Sequence, residues 1–448
     1  MYDTASQEVR PVELREPGRV SMYVCGPTVY GDPHVGHGRF TVTWDVIRRY
    51  LEWSGLEVRY VSNITDIDDK IIARANEEGV GTDDVVKRYE RVWWDTMGRL
   101  GVSAPNEEPH ATRWIAEMVD LIAGLVDSGA AYVGGDGVYF ASATVADYGL
   151  LAHQPLDSLR AGARVAVGEE AGKRSPTDFV LWKFAKAGEP SWPSPWGAGR
   201  PGWHTECVVM SLGLLGDGFD LHGGGSDLAF PHHENERAQA VAAGRVFARH
   251  WVHSGMVVTD GGEKMSKSLG NTLSLPELAA RWDPRAFRLL VLGAHYRSPM
   301  TVSPTTLAAS LEAVRGLDAF ARRFAPAREV APDAGALEAF RAAMDDDLDT
   351  PRAVAGVHGL VREANRGGPA ADALAAAAIE LLEVALGLPL ARPDQVPAEV
   401  AALVDERAAA RAARDWARSD ALRDELSAMG WVVEDAADGA KLHRRDDA

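Results

Sequence analysis

A chain of 448 residues exceeds one ordinary domain, so about two to four are expected. With 46% hydrophobic and 25% charged residues, its composition is that of a globular protein with ample core. The net charge of −18 argues against broad, nonspecific attraction to polyanions, and no apolar run approaches the roughly 20 residues that cross a bilayer. The first 20 residues are polar and mixed in charge, unlike a signal peptide, so a cytoplasmic location without membrane association is expected. Cys25 and Cys207 are the only cysteines, too few for a disulfide framework; a buried inert pair, a metal site and a catalytic role all remain open.

In chain order, a strand is expected over 21–25, then a Gly/Pro turn over 26–33 and a helix over 38–53 with Trp44, Ile47 and Leu51 on one face. A strand over 57–61 and a helix over 66–78 follow, which together make a nucleotide-binding half of a parallel sheet. Residues 80–200 break this alternation and read as an insertion of helices followed by a Gly/Ser/Pro/Trp-rich loop. Alternation resumes with a strand over 218–222, a glycine turn, a helix over 231–243 and a strand over 256–259. From about residue 303 the pattern is helical and Ala-rich to the end.

Two segments suit phosphate chemistry. Pro33-His34-Val35-Gly36-His37-Gly38 lies between a strand and a helix, where backbone N–H groups and the helix dipole attract anions and Gly36 admits close approach. Taken alone it is equally two surface histidines in a turn. Gly262-Glu263-Lys264-Met265-Ser266-Lys267-Ser268 is bounded by glycines, and its two lysines suit charge neutralisation at a triphosphate; taken alone it is a solvated basic loop.

The order of these two motifs, H-x-G-H then K-M-S-K-S, resembles the paired signature of class I aminoacyl-tRNA synthetases, departing only in Val35 for the usual isoleucine. Tyr23–Tyr30 (YVCGPTVY), Asn63–Lys70 (NITDIDDK) and Phe230–Glu236 (FPHHENE) further resemble cysteinyl-tRNA synthetases, and the similarity runs along nearly the whole chain. The resemblance implies an α/β fold: a split Rossmann-like class I catalytic domain with an insertion, followed by a helical bundle and a small C-terminal domain. The expected boundaries are 1–302 for the catalytic domain (insertion about 80–200, lysine-loop segment about 256–302), 303–390 for the bundle and 391–448 for a tRNA/anticodon-binding domain.

It also implies ATP-dependent activation of L-cysteine, transfer to tRNA, one Zn2+ per chain, Mg2+ accompanying ATP, and a monomer. By position, the implied catalytic residues are His34, His37, Lys264 and Lys267, and the ATP-binding residues are His34, Gly36, His37, Gly224, Gly225, Asp227 and Lys267. Tyr23, Gly26, Thr65 and Trp203 would surround the amino acid, and Cys25, Cys207, His232 and Glu236 would hold zinc. The donor set suits tetrahedral zinc. A metallopeptidase reading of His233-Glu234 needs a histidine at 237, where Arg237 stands. Asp66, Asp68 and Asp69 are expected to serve a helix N-terminus rather than a metal. Arg407, Arg411, Arg414 and Arg418 are expected on one helix face, open to RNA phosphate or to ion pairs. Two rivals are a cysteine-activating small-molecule ligase of the mycothiol pathway, for which the helical region after 303 has no use, and a noncatalytic RNA-binding relative, in which intact catalytic motifs are not expected. A cut near Pro326 is expected to separate the two substrate-binding parts.

Overall fold

The alternation over residues 19–62 builds the centre of the molecule. Strands β1 (Arg19–Val24), β2 (Glu57–Ser62), β3 (Leu221–Gly225) and β4 (His250–Ser254) form one parallel sheet in the order β4-β3-β1-β2. Side chains of β1 alternate between two cores. Val20, Met22 and Val24 pack with Val42 and Val46 of helix α1 (Val35–Trp53), while Tyr23 and Cys25 pack with Val208 and Met210 of helix α2 (Trp203–Leu215). Both faces of the sheet are thus covered, as is usual for a parallel sheet. The sheet's order changes direction between β1 and β3, and such a switch point opens a crevice beyond the carboxyl ends of the strands. The computed structural model describes residues 1–154, 172–258, 273–392, 397–436 and 439–444.

Several elements differ from expectation. The strand expected over 218–222 lies at Leu221–Gly225, so the glycine run is strand rather than turn. A Cβ on Gly223 would stand 1.7 Å from the Trp44 ring, so the sheet makes room there for the helix above it. The helix expected over 231–243 is a wide turn, Ala229–His233, broken at Phe230 and followed by helix α3 (Glu234–Ala242). The insertion contains an antiparallel sheet of Ala131–Val133, Gly137–Phe140, Phe179–Phe184 and Gly199–Pro201, where helices and then, over 187–203, a loop were expected.

Helices Pro304–Arg323, Ala334–Met344, Thr350–Arg366 and Ala371–Glu380 share one continuous core with α1: Phe320, Phe340 and Leu381 belong with Ile47 and Tyr50. Helices Ala398–Ala412 and Trp416–Ala428 and the hairpin Trp431–Ala436/Gly439–Arg444 instead carry a small core of their own, with Val400, Leu426 and Trp431. The expected arginine face is not formed. Arg407 is buried, Arg414 adopts a left-handed φ of 61° in the turn, and Arg418 sits on the next helix, 2.7 Å from Glu406. Asp415 accepts from Arg418 N and starts that second helix, which ends the spacing that put four arginines in line.

A fully buried ion pair ties the helical region to helix α1. Arg288 contacts the Asp45 carboxylate and donates to Leu386 O at 2.9 Å and Leu100 O at 3.2 Å, while Arg49 reaches the same carboxylate at 2.8 Å. Asp45→Ala would strand the Arg288 charge in the interior. We expect it to lower unfolding free energy by about 3–5 kcal/mol in denaturant titration; a loss within experimental scatter would show the guanidinium to be satisfied by carbonyls alone.

Candidate active site and metal centre

A cavity of about 340 Å³ opens at the carboxyl ends of β1 and β3. One end is set by the histidine signature. His34 caps α1: its Nδ1 accepts from Gly36 N at 3.1 Å, while His37 Nδ1 accepts from His34 N at 3.1 Å. An accepting Nδ1 leaves the proton of the neutral ring on Nε2, so each imidazole is a donor there. The rings stack at 3.8 Å and both line the cavity, together with Gly36, Gly225, Asp227 and the wall Ser254–Val257. The helix starts at Val35, three residues before the expected start, so both histidines belong to its N-terminal turn, where anions are favoured.

The opposite end carries the two thiols. Cys25 follows β1, Cys207 lies on α2, and His232 and Glu236 come from the turn and helix after β3. Cys25 Sγ is 3.6 Å from Cys207 Sγ and 3.4 Å from Glu236 Oε1, and Cys207 Sγ is 3.7 Å from His232 Nε2. Tetrahedral bonds of about 2.0–2.3 Å give ligand-to-ligand edges of about 3.3–3.8 Å, which these three separations match. Another of the six edges, His232 Nε2 to Glu236 Oε1, is a hydrogen bond of 2.8 Å.

Asn63 braces the group, accepting on Oδ1 from Tyr23 OH at 3.1 Å, Gly26 N at 2.9 Å and the Cys207 thiol at 3.7 Å. A Cβ on Gly26 would fall 1.6 Å from Asn63 O, so only glycine permits this approach. Two further imidazoles hold the outer faces: His222 Nε2 is 2.7 Å from Glu236 Oε2, and His204 Nδ1 is 2.8 Å from His232 Nδ1. Contacts of this kind orient ligand side chains at metal sites.

Charge within the cluster is strongly coupled. Burial opposes ionisation of Glu236, but the His232 and His222 imidazoles outweigh it and hold the carboxyl well below its usual range. Burial and the neighbouring Cys207 push the Cys25 thiol well up. For Cys207, burial is outweighed only by the hydrogen bond from Cys25 together with the His232 imidazole, which lower its pKa. A second buried group, Cys25, His222, His233 and Glu236, is also compact enough for a metal. It has one thiol, His233 Nδ1 is engaged with His253 Nε2 at 2.8 Å, and only Cys25 of the four lines the cavity; in the first group Cys25, Cys207 and His232 all do.

Other expected residues divide. Thr65, Gly26 and Trp203 line the cavity; Thr65 Oγ1 donates to Glu206 Oε2 at 3.0 Å, and Trp203 stacks on His232 at 3.9 Å with 38% of its surface exposed. Tyr23 and Gly224 do not line it. Tyr23 is wholly buried beneath Asn63, and Gly224 faces the His233 ring. Gly224 precedes Gly225 on a strand whose side chains alternate, so it is turned to the opposite face, whereas Tyr23 shares the face of Cys25 but lies further back along the strand, away from the end where the cavity opens. Lys264 and Lys267 lie outside the described residues. Their flanks adjoin the cavity: Val257 lines it, and Leu273 O accepts from Val35 N at 3.1 Å. Asp68 caps the helix Asp69–Glu78, Asp66 binds Thr112 N, and Asp69 pairs with Lys183 and Arg200 of the insertion sheet.

The residues 11–312 match a family model described as the class I (C) tRNA synthetase catalytic domain, 339–391 a DALR domain, and 394–441 a cysteinyl-tRNA ligase anticodon binding domain. The cysteine–tRNA ligase of Pseudomonas paraeruginosa is 47% identical across 100% of this chain and 99% of its own length, and that of Brevibacillus brevis 43% across 99% of both. The chain belongs to the cysteine–tRNA ligases. It is thus an aminoacyl-tRNA synthetase that joins cysteine to tRNA, and the mycothiol-pathway ligase is not favoured. Among solved structures, methionyl-tRNA synthetase of Mycobacterium tuberculosis, determined with methionyl-adenylate, aligns at a TM-score of 0.61 with 17% identity, covering 82% of this chain and 89% of that one. A leucyl enzyme of Agrobacterium radiobacter in a ternary complex aligns at 0.62 with 12% identity, covering 84% of each. At such identities the likeness speaks for the shared fold. No helix among the described residues is long and apolar enough to cross a membrane.

Proposed function

We propose that the cavity takes the side chain of cysteine at its thiol end and ATP at its histidine end, with Cys25, Cys207, His232 and Glu236 holding one zinc ion between protein and substrate. Zinc there would supply a soft Lewis acid that favours a substrate thiolate over the hydroxyl of serine. The observation that carries this reading is the pair of thiols 3.6 Å apart on the wall of the same cavity that His34 and His37 line. Thr65 and Trp203 flank the amino acid, and Tyr23 supports the site from below through Asn63.

In the first step a carboxylate oxygen of cysteine attacks the α-phosphorus of ATP, the bond to the β-phosphate breaks, and pyrophosphate leaves with the electron pair. His34 and His37 donate from Nε2 to phosphate oxygens, Gly36 and Gly225 admit the nucleotide closely, and Asp227 accepts from ribose hydroxyls. Lys264 and Lys267, with Mg2+, neutralise the departing charge. In the second step a hydroxyl of the terminal tRNA ribose attacks the carbonyl carbon and AMP leaves. Positioning and charge neutralisation supply most of the barrier reduction. We assign catalysis to residues 1–302, docking of the helical region to 303–390 and anticodon contact to 391–448. The substrates tRNA and ATP support work in the cytoplasm.

The test is ATP–pyrophosphate exchange across the amino acids: cysteine should support it and serine should not. Equal exchange with serine would refute the metal-based selection. Lys267→Ala should lower single-turnover adenylate formation by about 100-fold while the Kd for cysteine stays unchanged, the pattern of an interaction made only in the transition state. An unchanged single-turnover rate would reduce the segment to a solvated turn.

A further inference from the structure

Arg39 follows the histidine signature on α1 and is 1% exposed, yet its partners are all backbone carbonyls. It donates from Nη1 to Met256 O at 2.7 Å, and from Nη2 to His295 O and Tyr296 O at 3.3 Å each and to Ser298 O. No carboxylate among the described residues pairs with it, and burial alone pushes its pKa down, to about 10. A buried charge without a counter-charge is an expensive way to fill space, and an apolar side chain of similar volume would serve stability as well. What a guanidinium adds is a planar fork that fixes several acceptors at once.

The acceptors belong to two segments. Met256 is on the cavity wall, next to Gly255, whose N–H donates to Tyr296 O at 2.7 Å. The other three carbonyls are in the loop 295–298, and that loop is gripped from its far side by the helical region. Asp347, 4% exposed in the turn between Ala334–Met344 and Thr350–Arg366, accepts from Tyr296 OH at 2.8 Å, from Arg297 Nε at 2.8 Å and from Tyr2 N at 2.6 Å.

We propose that Arg39 is a positioning residue for ATP: it sets the wall Gly255–Val257 against the histidine turn His34–His37, and Asp347 of the helical region steadies the loop through which it does so. This rests on the assignment of that end of the cavity to ATP. The consequence is that the way the helical region is docked bears on nucleotide use, though Asp347 touches neither the cavity nor α1's signature residues.

Arg39→Lys keeps the charge and loses the fork. In cysteine-dependent ATP–pyrophosphate exchange it should raise KM for ATP about tenfold, as a misplaced wall does, with KM for cysteine and zinc content unchanged. Asp347→Asn should shift KM for ATP in the same direction by a smaller factor, and the double variant by less than the product of the two, since both act through one loop. If Arg39→Lys does not fold, Asp347→Asn and Arg297→Lys carry the same readout. An unchanged KM for ATP in folded variants overturns the proposal, as do KM values for ATP and cysteine that rise together. Absence of cysteine-dependent exchange in the parent protein would instead refute the assignment of the cavity.

Discussion

Cys207→Ser is expected to reduce zinc from about one per chain to a trace and to raise KM for cysteine at least about 100-fold in ATP–pyrophosphate exchange. Serine keeps the size of the side chain and a donor to Asn63, so the braced geometry around Gly26 can persist. It cannot supply a soft anionic ligand, because a hydroxyl stays protonated where a thiol ionises. KM for ATP should move by no more than about threefold, since His34 and His37 lie at the other end of the cavity. Zinc measured in the purified variant and the two KM values decide it. Full zinc with an unaltered KM for cysteine would mean that the thiols are merely a buried pair.

Removal of residues 393–448 should leave cysteine-dependent exchange largely intact while transfer to tRNA falls by about 100-fold or more, chiefly through weaker tRNA binding that added salt weakens further in the full chain. The place of the cut follows from the packing. Pro326, a break suggested by the sequence, sits between Phe320 and Phe340, and both are in the core that Ile47 and Tyr50 also build. A cut there would expose catalytic-domain core, and its failure would say nothing of tRNA. After Arg392 the remaining elements have their own core around Val400, Leu426 and Trp431. Normal charging by the shortened chain would remove anticodon contact from this part of the protein.

The parts of the fold that were legible in the sequence are those where one local rule suffices. The strand before Cys25 and helix α1 carry period-2 and period-3.6 apolar patterns, and the class of the fold followed from them together with the signature motifs. Asp68 read correctly as belonging to a helix start because capping is a contact between near neighbours. The insertion sheet was invisible because its strands are three to six residues long and are held by pairing between Phe140 and Phe179, far apart in sequence. In the tail, a spacing of four, three and four suggested one arginine face, but a left-handed residue at Arg414 splits it over two helices.

At the site, the motifs pointed to Cys25, Cys207, His232 and Glu236, and the fold brings all four within 4.8 Å. What the motifs did not mark is the bracing. Asn63 was inside a recognised segment, yet its role depends on three partners from β1, the turn after it and α2. His222 and His204 contact Glu236 and His232 across 14 and 28 residues of sequence. Arg39 has no sequence signal at all, since its acceptors are carbonyls.

X-ray absorption at the zinc K-edge, recorded on the zinc-loaded protein before and after L-cysteine is added, tests the central claim most directly. Two sulfur and two nitrogen or oxygen neighbours are predicted before addition, at about 2.3 and 2.0–2.1 Å, with one more sulfur after cysteine and none after serine. A zinc ion without sulfur neighbours, or a spectrum that cysteine leaves unchanged, would contradict selection of the substrate through its thiol.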